Sequence, residues 1–146
     1  MAFTNDVVTS FMERYFETFA KYAQDPENMF RMEEYFDSEL EFKQYYPDTP
    51  HTHGLENFHK LNVHSEIHET LRPEIFIVDT QRKLASVLIN VEVVDTRTGK
   101  IILTPKYNAI YHFKEYEDDS FKISKVWLFV EHSPEYERFM ATLPKG

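Results

Sequence analysis

The stretch Ala85-Ser86-Val87-Leu88-Ile89-Asn90-Val91-Glu92-Val93 places Ala85, Val87, Ile89, Val91 and Val93 on one face. Ser86, Asn90 and Glu92 fall on the other. Successive side chains of an extended chain point to opposite faces, so this alternation reads as a strand with one buried face. Working outward, Asp95-Thr96-Arg97-Thr98-Gly99-Lys100 is a turn into a strand from Ile101 through Tyr116. Glu117-Asp118-Asp119-Ser120 turns again into a strand from Phe121 through Glu131. Upstream, Ile75-Phe76-Ile77-Val78 is a short strand that ends in Asp79-Thr80-Gln81-Arg82. Turns this short force antiparallel neighbours.

Before Asp37 the period is different. Val7, Val8, Phe11, Met12, Tyr15, Phe16, Phe19 and Tyr22 recur at helical spacing, and Asn5 or Asp6 is placed to cap the first turn. Asp25-Pro26 ends this helix and opens a short second one through Met29, Phe30, Met32, Tyr35 and Phe36. Leu40, Phe42, Gln44 and Tyr46 then alternate along a strand that stops at Pro47. Leu55, Phe58, Leu61, Asn62 and Ser65 predict a third helix running to about His68. Ser133-Pro134 opens a short C-terminal helix through Tyr136, Phe139 and Met140. The order is helix, short helix, strand, helix, four strands. It predicts one α+β domain over residues 1–146, a curved antiparallel sheet wrapped as a cone around three helices of the N-terminal half. The hollow of that cone is the expected small-molecule pocket.

Composition narrows the function classes. The net charge is −9, from 16 Lys+Arg against 25 Asp+Glu, and no basic stripe offers counterion release to nucleic acid. The absence of Cys excludes disulfides, thiolate metal sites and thiol nucleophiles. No apolar run approaches the ~18 residues of a membrane span, and cytoplasmic residence is the expectation. Three glycines and no phosphate-binding loop imply no cofactor. Phe and Tyr number 13 and 9, enough to fill a small core with rings or to line a cavity with phenols.

The element order resembles the nuclear-transport-factor-2-like, or SnoaL-like, superfamily over nearly the whole chain. Local patterns agree: Tyr35-Phe36-Asp37-Ser38-Glu39-Leu40 entering the first strand, Gly54 opening the third helix, and Pro73-Glu74-Ile75-Phe76-Ile77-Val78-Asp79. The resemblance implies a homodimer formed through the convex sheet face, and a pocket able to host several chemistries. Matched to ketosteroid isomerase, the position of the carboxylate base falls at Gln44 and that of the oxyanion-hole acid near Ala109, so neither acid is present. Matched to scytalone dehydratase, Tyr22 and His68 keep the family's residue types. Ala23 and Val93 do not, and the strand tyrosine falls at Gln44 with Tyr46 two residues on.

His68 and Tyr22 are therefore the candidate catalytic residues, the imidazole moving a proton near neutrality and the phenol polarising a ligand oxygen. Tyr15, Gln44, Tyr46, Tyr107 and Tyr111 are the candidate pocket lining. His51, His53, His59, His64 and His68 tempt a metal reading, with His64 and His68 at i, i+4 and His51 and His53 two apart, yet no metal signature completes them. Two readings stay open. One is a cofactor-independent lyase or isomerase (dehydratase, isomerase or cyclase type) acting on an apolar or cyclic small molecule. The other is a non-catalytic ligand-binding or assembly module.

Overall fold

The computed structural model describes residues 3–45, 51–63 and 66–142. Helix α1, Asn5–Tyr22, turns Val8, Phe11, Met12, Tyr15, Phe16 and Phe19 inward. Its cap is Thr4, whose Oγ1 accepts from Val7 N at 3.3 Å, so the cap lies one residue before the expected Asn5 or Asp6. A 3₁₀ helix, Met29–Glu34, is the short second helix. Strands follow as β1 (Phe36–Gln44) and β2 (Thr52–His53), then helix α2 (Leu55–Asn62). The rest is β3 (Ile67–Asp79), β4 (Leu84–Asp95), β5 (Ile101–Leu103), β6 (Lys106–Glu115), β7 (Phe121–Val130) and helix α3 (Pro134–Thr142).

The strands form one sheet in the order β2-β1-β7-β6-β4-β3, with β5 paired to β4. From β3 through β7 the pairing is antiparallel, as the short turns require. The expected all-antiparallel sheet is corrected at one place: β1 runs parallel to β7. No tight turn links those strands, because α2 and most of the sheet lie between them in the chain. A second correction falls at the third helix. It stops at Asn62, and Val63 is already extended at φ −101° and ψ 114°. The next strand begins at Ile67, so His68 belongs to a strand. The expected strand from Ile101 to Tyr116 is interrupted by Thr104 and Pro105, and proline brings no N–H to a ladder.

The helices cover the concave face. Bulges at Pro73/Ile75, His112/Phe113 and within β1 curl the sheet toward them. The inner face carries Ala85, Val87, Ile89, Val91 and Val93 of β4, and Tyr107, Ala109, Tyr111 and Phe113 of β6, all buried. The outer edge of β3 is held by a side chain. Gln24 Nε2 donates to Glu69 O at 2.7 Å and its Oε1 accepts from Glu69 N at 2.8 Å. One amide thus supplies the two bonds that a further strand would make. Among the described residues no helix is long and apolar enough to cross a membrane.

At the narrow end Asp37 is a buried carboxylate. It accepts from the Tyr116 hydroxyl and from Glu39 N at 3.0 Å, with Lys114 Nζ at 3.8 Å. The Tyr116 bond holds its carboxyl below the usual range, and burial together with Asp37 pushes the phenol up to about 12. Asp37→Ala is expected to cost about 1.5–3 kcal/mol, the range for hydrogen bonds to a charged group. Urea unfolding of Asp37→Ala, Tyr116→Phe and the double variant measures the pair. Full additivity would show that the two groups do not interact.

Candidate functional site

Among the described residues, the inward tyrosines are packed against other side chains. Tyr15 and Tyr111 are only 2% and 3% exposed. Burial, with the Tyr111 phenol beside it, raises the Tyr15 phenol above the ordinary tyrosine range, and burial raises that of Tyr111. The Tyr15 ring meets Phe16, Phe36 and Tyr111 edge-on at centroid distances of 5.0, 5.6 and 5.5 Å. Little of either side chain is open to water. The wide end is closed as well. Tyr107 donates to Glu69 Oε2 at 2.7 Å, and the Tyr136 phenol that α3 brings beside it adds to the upward shift of the Tyr107 phenol. Ser133 Oγ caps that helix by accepting from Tyr136 N at 3.1 Å. Tyr15, Tyr107 and Tyr111 do face inward as expected, but they pair with protein groups.

The other candidates are scattered. Tyr22 is half-buried at the end of α1, with the Arg31 guanidinium 5.0 Å above its ring. Gln44 closes β1 opposite Leu128, and Tyr46 and His64 lie outside the described residues. His68 requires a correction. Ile67 is buried, Glu69 meets Tyr107 across the concave side and Leu71 packs on the core, so the alternation sends His68 to the convex face beside Val94. It cannot reach a ligand inside the cone. The error came from extending the third helix by six residues, which hid the strand parity. His53 pairs with Glu39 at 3.2 Å on the exposed edge, and among the described residues no group of three side chains could hold a metal ion.

A different histidine has the properties sought in His68. His59 lies on α2, one residue past buried Phe58, and faces the seam toward the 3₁₀ helix. There Met29, Glu33, Leu55, Glu56, His59, Lys60 and Val63 line an open groove of about 660 Å³. Its Nε2 is buried without a hydrogen-bond partner and stands 4.0 Å from Glu33 Oε2. Desolvation pushes its pKa down, more than the Glu33 charge pulls it up. The imidazole is therefore neutral at pH 7, available as base or hydrogen-bonding group. Sequence spacing carried a weak signal: Leu55, His59 and Val63 recur every fourth residue beside the core position Phe58.

His112, on the convex face, is also buried at Nε2 without a partner and packs its ring 4.6 Å from Trp127. Burial first, then Lys125, lowers its pKa. Both histidines are thus held neutral in the fold and protonate first in the unfolded chain. Their contribution to stability is complete above the unfolded pKa of about 6.5 and is lost as pH falls below it. The urea midpoint should drop between pH 7.5 and 5.5. His59→Gln combined with His112→Gln should flatten that drop, and an unchanged slope would contradict the assignment.

No protein-family model and no curated protein sequence matches the chain. Solved structures do. ActVI-ORFA from Streptomyces coelicolor is similar at a TM-score of 0.63 and 12% identity, covering 86% of this chain and 96% of that one. A ketosteroid isomerase-like protein from Erwinia carotovora atroseptica gives 0.61 and 13%, over 88% and 96%. Nuclear transport factor 2 from Cryptosporidium parvum gives 0.60 and 10%, over 87% and 94%. The chain has the nuclear-transport-factor-2-like cone fold. Identities this low carry the fold alone, since this architecture hosts unrelated functions.

Proposed function

We propose that the chain is a cytoplasmic small-molecule-binding protein whose ligand lies in the groove between the 3₁₀ helix and α2. The cone interior is not the site. The observation that carries this reading is His59: a buried, unpartnered imidazole nitrogen on the wall of a ligand-sized groove floored by Met29, Leu55 and Val63. A buried polar atom left unpaired costs about 1–3 kcal/mol, and a ligand that pairs with it recovers that cost. The chemistry the site offers is proton abstraction by neutral His59 and return of the same proton to a neighbouring atom of the ligand, as an isomerase needs, with no cofactor. The test is an NMR screen of apolar small molecules against the ¹⁵N-labelled chain. Shifts confined to residues 29–33 and 55–63, abolished by His59→Phe, are expected. Shifts centred on Tyr107 and Tyr111 would return the site to the cone and defeat the proposal.

A second observation favours assembly as a homodimer. Register aligns Trp127, Ile110, Ser86 and Ile77 in one row across the outer face, and Phe129, Asn108, Leu88 and Ile75 in the next. Ile77 and Phe129 are 63% and 39% exposed, and Tyr45 stacks on Phe129 at 4.8 Å. An apolar band of this kind on an open sheet face is suited to a second copy. Sedimentation should give a dimer mass, reduced to monomer by Phe129→Glu. A monomer at 100 μM wild-type chain would remove this reading.

A further inference from the structure

Resting on that groove reading, we infer that the ligand is an apolar amine, its ammonium shared between Glu33 Oε2 and His59 Nε2. The two atoms are 4.0 Å apart, too far to bond each other. Two acceptors that share one tetrahedral donor at about 2.8 Å each stand roughly 4.5 Å apart. Nε2 is covered in the free chain, so the half-exposed Glu33 side chain swings aside as the amine enters, which both uncovers Nε2 and supplies the difference.

The charges around the groove select the sign. Lys60 Nζ is 3.6 Å from Glu56 Oε1, so this rim pair balances itself. Lys122 Nζ reaches the backbone carbonyl of Glu33 at 3.4 Å, not its carboxylate. The groove is left with the Glu33 charge opposite the imidazole, within a chain of net charge −9. An anionic ligand meets repulsion there. A neutral hydroxyl can donate to only one of the two acceptors, whereas an ammonium donates to both and neutralises the carboxylate. The apolar body of the ligand rests on Leu55, Val63 and Met29, an adaptable side chain.

Three probes of one shape separate the possibilities: cyclohexylmethylamine, cyclohexylmethanol and cyclohexanecarboxylate, titrated calorimetrically into the full chain at pH 8 with amide shifts recorded in parallel. The amine should bind roughly tenfold tighter than the alcohol, and the carboxylate weakest, because charge-assisted bonds are about twice as strong as neutral ones. Glu33→Gln should erase the amine preference and leave alcohol binding within about threefold. Alcohol binding equal to or tighter than amine binding, with shifts at Leu55 and Val63, would overturn the amine while leaving the groove standing. If no probe shifts Leu55 or Val63, the groove itself fails and the amine with it.

Discussion

Tyr15→Ala is expected to destabilise the chain by about 3–5 kcal/mol, the range for truncating a buried aromatic ring. The ring is the centre of the concave core, with edge-on neighbours on α1, the start of β1 and β6. Its removal leaves a ring-sized apolar void beside the Tyr111 ring. Tyr15→Phe, which keeps the ring, should cost about 1 kcal/mol. The variant also tests whether the cone is truly full. Dry apolar cavities of this size take up benzene. Benzene should raise the melting temperature of Tyr15→Ala by several degrees and leave the wild type unchanged. An equal rise in both would mean that the native cone already holds a ring-sized void.

That outcome bears on function because the fold alone does not say what the cone holds. Here the Tyr107 hydroxyl is spent on Glu69, and the Tyr15 and Tyr111 rings are buried against each other. A ligand in the cone would have to displace rings whose burial dominates the core. The groove beside α2 asks for no such displacement, since His59 Nε2 has no protein partner to surrender.

The sequence made the architecture legible because its two periods are unusually clean. Alternation from Ala85 to Val93 gave the central strand, its inner face and the outward Glu92, which bonds Arg72 at 2.9 Å. The spacing from Val7 to Tyr22 gave α1 and the face it buries. What failed was local. Residues 63–68 mix Val, Ile, Ser and His, a composition compatible with either state, and helix spacing was carried through them until it swallowed the first strand residues. One slip of that kind inverts a face, which put His68 inside the pocket. The parallel β1–β7 pair was invisible because pairing between distant strands leaves no turn to read. Whether phenols point at a ligand or at one another depends on distances that no spacing rule contains. Hence Tyr15 and Tyr111 were located correctly on inward faces, where the structure packs them against neighbouring rings.

Tyr136→Ala is expected to release α3 from the mouth of the cone, at a cost of about 3 kcal/mol. The helix is held by two inward side chains, Tyr136 in the core and Phe139 packed against it. A helix of nine residues has little stability of its own, so losing one of two anchors should unfold it locally. Amide exchange in residues 134–142 should then approach that of an unprotected peptide. Tyr107 supplies a second readout. Its phenol is raised chiefly by burial, with Glu69 and Tyr136 adding to the shift. Uncovering it should bring phenolate absorbance back toward the ordinary pKa near 10 while the Glu69 contribution persists. Tyr136→Phe keeps the ring and should leave α3 protected. Full protection in Tyr136→Ala would instead assign closure of the mouth to Phe139. Among the described residues, none of α3 lines the groove, so ligand binding at His59 should survive release of α3. Loss of that binding along with α3 would mean that the groove and α3 are coupled.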